Sequence, residues 1–354
     1  MGKYTTVDDP SAHFQTLLYT GSGSPQDVTN DGNSDLQPDL VWTKARTTTN
    51  GNPNISDSSR GVSANNGKWL ATSTTDAEYD DANGIRAFNT DGFKTGDGWF
   101  NGASGSTYVA WQWKAAGGTT ASNSNGSITS TVQANTDAGF SIVQYTGTGT
   151  AATIGHGLGV APAMYIIKNR DQTGTNWTVF HKNLTSNAYS LYLNSTAVQS
   201  NSVGYWNGTS PTSTVFSIKN TSGDVNTNTE DYVAYCFAEK QGFSKAGKYS
   251  GNENANGPYI HLGFKPAFIM IKNATVISNW RLFDNKRIGY NVANYKLLPN
   301  SSAQETTDVQ IDMLSNGFKI KTSDSEINSG VTHIYIAFAE NPFVTSTGIP
   351  TTAR

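Results

Sequence analysis

A short apolar pattern occurs three times along the chain. Each copy has a proline, a small or acidic residue, an apolar run and a lysine six residues after the proline. The copies lie at residues 38–44, 162–168 and 266–272. Consecutive apolar residues in so short a run, without the spacing of an amphipathic helix, predict strands that are buried on both faces.

Other landmarks keep nearly constant distances from the lysine of this pattern. A Tyr-Thr-Gly or Tyr-Ser-Gly sequence starts 25, 23 and 23 positions before the lysine, at Tyr19, Tyr145 and Tyr249. A closing run ends 69, 69 and 66 positions after it, at Trp113, Phe237 and Phe338. Recurrence of several landmarks at fixed offsets indicates internal repeats. The sequence therefore predicts three copies of one unit of about a hundred residues, a common domain size.

The first closing run, residues 108–113, has apolar groups on both faces, which predicts a central strand. Turn signals at short intervals between strands favour sandwiches or jelly rolls. We predict an all-β chain of three tandem, jelly-roll-like β-sandwich repeats, each with its own core. The predicted boundaries are a lead-in 1–12, repeats 13–116, 139–241 and 242–343, a linker 117–138 and a tail 344–354. This linker predicts that the first repeat is joined more loosely than the other two.

Composition supports the all-β prediction and excludes several classes of function. Charged residues are 14% of the chain and aromatic residues 11%, whereas soluble domains have about 25% charged residues. The net charge of −3 and the absence of a basic run argue against nucleic-acid binding. No apolar stretch approaches the roughly 20 residues that cross a bilayer, and the N-terminus has no apolar signal core. The single cysteine, Cys236, is predicted to be a small buried side chain.

Candidate sites for metals or catalysis are weak. Residues 31–35 alternate oxygen ligands like a calcium loop, but the position of the closing glutamate is Trp42. The acidic run 76–81 could supply the carboxylate pair of a glycosidase, although acidic surface loops are common and the other repeats lack the pair. The five histidines lie singly, without metal-ligand spacing, at His13, His156, His181, His261 and His333. We predict no cofactor, no metal and no catalytic residue.

Two sets of residues are candidates for contacts. The lysines of the repeated pattern would form a ring of positive charge if the units stood around a pseudo-threefold axis; the alternative is lysines that extend to solvent from strand ends. They are Lys44, Lys168 and Lys272. The aromatic residues Trp99, Tyr205 and Trp206 lie in loops rich in Gly and Asn, where exposed rings could stack on sugars. The alternative for these rings is partial burial over one end of a sandwich.

The chain resembles a group of virion-associated proteins of tailed phages, especially phages of marine bacteria. The resemblance rests on the opening 8–15, the Tyr-Thr-Gly starts, the Pro-Asp-Leu-Val-Trp strand at 38–42, the Asp-Gly-Phe turn at 91–93, the Tyr-Val-Ala closing runs and the ending 338–343. It covers nearly the whole chain and implies a β-rich, oligomeric virion component, without catalytic residues to carry over.

We therefore expect a non-enzymatic phage virion structural protein, in a tail fibre, tail tip or head fibre, that also contacts a host-surface polysaccharide. The expected partners are copies of the same chain, as a homotrimer by analogy with fibres, and other virion proteins. The expected location is the virion, after assembly in the cytoplasm of the bacterial host. The alternatives are a capsid decoration (cement) protein and a polysaccharide depolymerase.

Overall fold

Strands make up nearly all of the regular structure in the computed structural model, which describes residues 4–49, 51–62, 66–220, 222–287, 291–308 and 310–351. The helices described are a 3₁₀ turn at Pro10–Ala12 and a four-residue helix, α1, at Ser325–Asn328. Low helix content follows from a chain rich in Thr, aromatic, Asn and Gly residues, which favour strands and turns. The all-β prediction is confirmed.

Twenty-five strands are described. The first nine are β1 (Phe14–Thr20), β2 (Asp27–Val28), β3 (Leu40–Ala45), β4 (Asn54–Asp57), β5 (Gly67–Ala71), β6 (Tyr79–Asp81), β7 (Ala87–Phe88), β8 (Phe93–Lys94) and β9 (Thr107–Trp113). The next nine are β10 (Ala121–Asn123), β11 (Ser130–Asn135), β12 (Phe140–Thr146), β13 (Ala152–Gly155), β14 (Met164–Asn169), β15 (Thr178–His181), β16 (Leu191–Tyr192), β17 (Val215–Ile218) and β18 (Asp231–Phe237). The last seven are β19 (Ser244–Ser250), β20 (Tyr259–His261), β21 (Phe264–Asn273), β22 (Trp280–Asp284), β23 (Ile311–Leu314), β24 (Gly317–Ile320) and β25 (Thr332–Pro342).

Three main sheets share one strand order. They run β1-β9-β3-β4-β5-β6, then β10-β11-β12-β18-β14-β15-β16, then β19-β25-β21-β22. In each, the strand with the starting tyrosine pairs antiparallel with the closing strand, which pairs antiparallel with the lysine strand. β9 is therefore a central strand, as predicted, and its equivalents β18 and β25 are central too. The order of starting strand, closing strand and lysine strand therefore occurs in all three main sheets.

A smaller sheet covers the outer face of each main sheet. The three small sheets are β2-β8-β7, β13-β17 and β20-β24-β23. Between the first main sheet and its small sheet, Phe93 of β8 packs with Leu17 and Val41. In the third, Phe318 of β24 contacts Tyr335 at a centroid distance of 5.5 Å. These two-layer arrangements are the β-sandwich architecture that the sequence predicts.

The inner faces of the three main sheets meet in one shared core. Trp113, Phe237 and Phe338, the equivalent closing aromatics, lie with ring centroids 5.5–6.1 Å apart in every pairing. Phe14 of the first sheet stacks on Phe338 of the third at 5.3 Å. The prediction that the first unit is joined loosely is therefore wrong. The first and second sheet pairs each have a separate core between the main and the small sheet, and the shared core is an addition that the sequence analysis does not predict. Each main sheet is apolar on both faces, so it needs neighbours on both.

The segment 117–138, predicted as a linker, contains two strands of the second main sheet. β11 pairs with β12 from Thr131↔Gln144 to Asn135↔Phe140, and β10 pairs with β11. Val132 and Ala134 alternate with polar residues along β11, and Val132 is buried. This alternation lets the strand cover the edge of β12 and shield apolar side chains, so the segment belongs to the sheet.

Candidate functional site

The three repeated lysines lie at the junctions between the main sheets, and the side chain of each is fully buried. The Lys44 Nζ donates hydrogen bonds to the carbonyl oxygen of Gly51, at 3.0 Å, and to that of Ser301, at 2.8 Å. Gly51 lies between β3 and β4 of the first sheet, whereas Ser301 lies between β22 and β23, in the part of the chain that forms the third sheet pair. A lysine of the first sheet therefore connects the first and third sheets.

Lys168 and Lys272 repeat this arrangement. Lys168 Nζ bonds to the carbonyl oxygen of Thr175 in its own sheet, at 2.8 Å, and to that of Thr75 from the first sheet, at 3.3 Å. Lys272 Nζ bonds to the carbonyl oxygen of Asn273, at 2.8 Å, and to that of Thr196 from the second sheet, at 3.4 Å. The three contacts run from each sheet to a different neighbour and close a cycle.

These positions correct both sequence interpretations of the lysines. They neither form an exposed ring of positive charge nor extend to solvent, because carbonyl oxygens hold each amine inside a junction. Burial lowers the pKa of Lys44 to about 7 and the pKa values of Lys168 and Lys272 to about 8. Loss of hydration disfavours the ammonium form, and the carbonyl oxygens oppose that effect.

A buried charge cluster lies at the junction of the first and second sheets. Arg60 Nε contacts Asp57 Oδ2 at 2.5 Å, and Arg60 Nη1 contacts Glu78 Oε2 at 3.0 Å. Arg170, from the second sheet, donates from Nε and Nη2 to the two carboxylate oxygens of Glu78, each at 2.9 Å. Tyr235, also from the second sheet, donates to Asp57 Oδ2 at 2.7 Å. Bidentate pairing of this kind fixes orientation as well as distance.

The junction of the third and first sheets carries a matching cluster. Arg287 Nε contacts Asp284 Oδ2 at 2.7 Å, and Arg287 Nη1 contacts Glu305 Oε2 at 3.1 Å. Arg46 of the first sheet pairs with Glu305 at 2.9 Å. Trp111 of the first sheet donates its indole N–H to Asp284 Oδ2 at 3.0 Å, in the place that Tyr235 takes in the other cluster. The same four charges therefore recur at two junctions.

The junction of the second and third sheets keeps the backbone geometry and lacks these charges. The N–H of Glu78 donates to the carbonyl oxygen of Arg170 at 2.7 Å, and that of Glu305 to Arg46 at 3.0 Å; at the third junction the N–H of Gln199 donates to Ala274 at 2.9 Å. His181 stands where the other junctions have aspartate, and its Nε2 lies 3.1 Å from the carbonyl oxygen of Tyr335. Burial lowers the pKa of His181 to about 4, so it is neutral at pH 7.

Glu78 shows how strongly the clustered charges interact. Burial by itself would raise the pKa of this carboxyl, but Arg60 and Arg170 outweigh it and lower the pKa to about 2. Glu78 is one of the four acids in the run 76–81, which from the sequence is a candidate source of a glycosidase carboxylate pair. In the same run, Asp81 accepts a hydrogen bond from Trp69 Nε1 at 2.9 Å. The carboxylates of Glu78 and Asp81 are therefore held by partners within the fold.

The three candidate aromatic residues fall into two environments. The side chains of Tyr205 and Trp206 are buried, at 2% and 0% exposure, so their assignment as surface contacts is wrong. Trp206 Nε1 donates to the carbonyl oxygen of Tyr189 at 3.0 Å, and its ring packs edge-on against Tyr165. Trp99 is 61% exposed, so its ring is accessible from solvent. The Gly- and Asn-rich composition of these loops therefore does not distinguish a buried aromatic ring from an exposed one.

The remaining candidates are accounted for by contacts within the fold. Asp31, in the predicted calcium-like loop, forms an ion pair with Lys286 at 3.0 Å. Over the described ranges, no group of three or more His, Cys, Asp or Glu side chains is arranged to hold a metal ion. Cys236 is fully buried, as predicted, and burial raises the pKa of its thiol.

Two of the three junctions between main sheets have an open cleft. At the junction of the first and second sheets, a side chain fills the corresponding space. A cleft of about 570 Å³ lies between the first and third sheets, lined by Gln15, Thr16 and Asn285 among others. A groove of about 550 Å³ lies between the second and third sheets, beside β19. At the remaining junction, Gln133 of β11 fills the corresponding place and donates to the hydroxyls of Ser58 and Ser59.

These features define an all-β protein in which three sandwich-like sheet pairs share one aromatic core and polar junctions. The chain belongs to the DUF7483 family, described as a domain of unknown function, whose model matches residues 9–342. That match covers all three main sheets. Among curated proteins and among solved structures, nothing matches the chain. In the part of the chain that the structure describes, no helix is long and apolar enough to cross a membrane.

Proposed function

We propose that the protein is a non-enzymatic structural component of a phage virion, in a tail fibre, tail tip or head fibre. The observation that carries the proposal is the cyclic connection of the three sheets by equivalent lysines, from Lys44 to Ser301, Lys168 to Thr75 and Lys272 to Thr196. The repeated polar residues thus serve contacts between sheets. The resemblance to virion-associated phage proteins, read from the sequence, supports the same role.

The two charge clusters strengthen this argument. Arg170 and Glu78 join the second sheet to the first, and Arg46 and Glu305 join the first sheet to the third. Removing one partner from a buried ion pair costs about 3–5 kcal/mol, so each cluster resists separation of the sheets. Resistance to deformation is what a particle component needs when it transmits force or spans two other proteins.

The virion role is tested on particles. An antibody raised against the purified chain is applied to washed phage particles that carry the gene, and bound antibody is located by electron microscopy. Label at the tail tip or along a fibre supports the proposal, whereas label spread over the capsid supports the decoration alternative. Absence of the chain from washed particles, shown by mass spectrometry of their proteins, would overturn both.

The non-enzymatic part of the proposal has its own test. The purified protein is incubated with envelope polysaccharide of the host, and the product lengths are compared with those of an untreated sample. Unchanged lengths support a structural role, and shortened chains would establish the depolymerase alternative. A glycan contact without cleavage would involve the exposed Trp99, whose indole is available for stacking on a sugar ring.

The homotrimer is part of the proposal and is tested by mass in solution. Sedimentation at micromolar concentration should give three times the mass of one chain. A monomer at that concentration would contradict the trimer. It would also assign the threefold arrangement to the single chain, which already places three closing aromatics, Trp113, Phe237 and Phe338, in mutual contact.

A further inference from the structure

The edges of the second and third main sheets differ although their strand orders agree. In the second sheet, β12 is covered on its outer side by β11 over five residue pairs. In the third sheet, β19 occupies the equivalent place, since Ala246 faces Ile336 as Ile142 faces Tyr235, and it is the last strand of the sheet. The strand that covers the second sheet has no counterpart beside β19 in the described residues.

Backbone hydrogen-bonding groups of β19 point away from its sheet. The N–H of Ala246 donates to the carboxylate Oε1 of Glu239 at 3.2 Å, so it faces outward. The N–H of Ser244 donates to the carbonyl oxygen of Lys240 on the same side. Because outward groups alternate along an antiparallel strand, the N–H of Lys248 also faces outward. Within the residues that the structure describes, it contacts no acceptor.

The groove beside β19 is bounded on both sides and has a positive rim. Its volume is about 550 Å³, with Lys182 of the second sheet on one wall and Tyr259 of the third on the other. Lys245 and Lys248 lie on β19 itself. The acidic group in the groove, Glu239, is paired with Lys182 at 2.5 Å. Lys245 lies near Glu239 and donates to the carbonyl oxygen of His261 at 2.8 Å, whereas Lys248 is exposed. Among the described residues that line the groove, Glu239 is the only acidic one, so the lysines outnumber the acids.

Charge decides which strand could pair with this edge. Lysines on edge strands oppose pairing between identical edges, and a second copy of β19 would place lysines against lysines. An acidic strand would instead place carboxylates opposite Lys245 and Lys248, and opposite charges across a strand pair are favourable. The Ala246 N–H, which donates to Glu239 in the free protein, would donate to a backbone carbonyl of the added strand instead.

We propose that β19 is a docking site for an extended, acidic segment of a partner protein, which adds to the third sheet as β11 adds to the second. Backbone hydrogen bonds to an exposed sheet edge supply affinity in this mode of recognition, and alternate side chains supply specificity. The register of β11 gives the positions of the acids. Thr131 faces Gln144 and Ala134 faces Ser141, the equivalents of Lys248 and Lys245.

The test uses fluorescent peptides with the sequence of residues 127–136. One carries T131E and A134E, and the other carries T131K and A134K. Fluorescence anisotropy with the full-length protein should show the acidic peptide binding about tenfold more tightly than the basic one. The protein variant K245E/K248E should reverse the preference. No saturable binding of the acidic peptide, or the same preference in both proteins, would overturn the proposal.

A second pair of variants separates backbone pairing from charge. K248Q removes the charge and keeps the N–H, whereas K248P removes both; proline is tolerated where the N–H of an edge strand faces outward. With circular dichroism spectra unchanged, K248P should bind the acidic peptide about fivefold more weakly than K248Q. Equal affinities would overturn the strand-addition geometry. A dimer of the protein alone that K248P dissociates would assign the edge to a second copy and overturn the acidic partner.

Discussion

Replacing Glu78 by glutamine is the most direct test of the charged junctions. The substitution keeps the size of the side chain and removes the charge that Arg60 and Arg170 contact at 2.9–3.0 Å. The pKa of Glu78 lies at about 2, against 4.5 for a free glutamate. That difference corresponds to about 3 kcal/mol of folding free energy at pH 7, which agrees with the cost of breaking a buried ion pair.

The effect of E78Q should depend on pH in a defined direction. A carboxyl with a lowered pKa in the folded state stabilises the protein above its unfolded pKa, and this stabilisation is lost as pH falls toward the folded pKa. Urea unfolding, followed by tryptophan fluorescence, should show a deficit of about 3 kcal/mol for E78Q at pH 7 and about 1.4 kcal/mol at pH 3. A deficit below about 1 kcal/mol at pH 7, or one equal at both pH values, would refute the reasoning.

The third junction supplies a matched control for this experiment. Gln199 and Ala274 occupy there the places of Glu78 and Arg170, with the same backbone hydrogen bond. The double variant E78Q/R170A therefore reproduces a pair that the protein already uses. We expect it to lose less stability than the sum of the two single variants, with a coupling of at least about 1 kcal/mol. Additive losses would show that Glu78 and Arg170 do not act as a pair.

Three further predictions follow from the core and the lysines. Stability should rise between pH 7 and about 9.5, because the lowered pKa values of Lys44, Lys168 and Lys272 leave the unfolded chain binding more protons there; urea midpoints test this, and K44M should reduce the rise without abolishing it. W206A should cost about 3–5 kcal/mol, whereas W99A should change unfolding free energy by less than about 0.5 kcal/mol; similar losses would contradict the burial difference. Calorimetry should show one transition for the intact chain, since the sheets share a core, and no cooperative transition for the fragment 1–116; two separated transitions would contradict the shared core.

The strands were predictable because their signals are local. Apolar runs ending at Lys44, Lys168 and Lys272 became β3, β14 and β21, and the closing runs became the central strands. Constant spacing between landmarks also indicated that one topology recurs. Local pattern predicts a linker at 117–138, because the residues of this segment are mostly small and polar. Whether such a segment forms a strand depends on whether another sheet offers it an unpaired edge strand. The local sequence pattern does not show this.

The charged junctions have a signal in the sequence. Arg60 lies three residues after Asp57, and Glu78 lies eighteen residues after Arg60. The same two spacings recur at Asp284, Arg287 and Glu305. Two copies of this spacing, at equivalent places in two of the repeats, mark these charged residues as a recurring set. Their partners Arg46 and Arg170 lie two residues after a repeated lysine, yet nothing in the spacing states that they reach a different sheet.

The sequence by itself determined the all-β class, the position of the main strands and the recurrence of one strand order, because these depend on side-chain periodicity and on short-range turns. Only the tertiary structure decided which partners the polar side chains at the ends of the strands contact. Lys168 meets Thr75 and Trp206 packs inward because contacts between distant segments depend on how whole sheets pack. Packing of the inner faces buries apolar surface from all three sheets at once, and that common burial sets which loops meet at each junction.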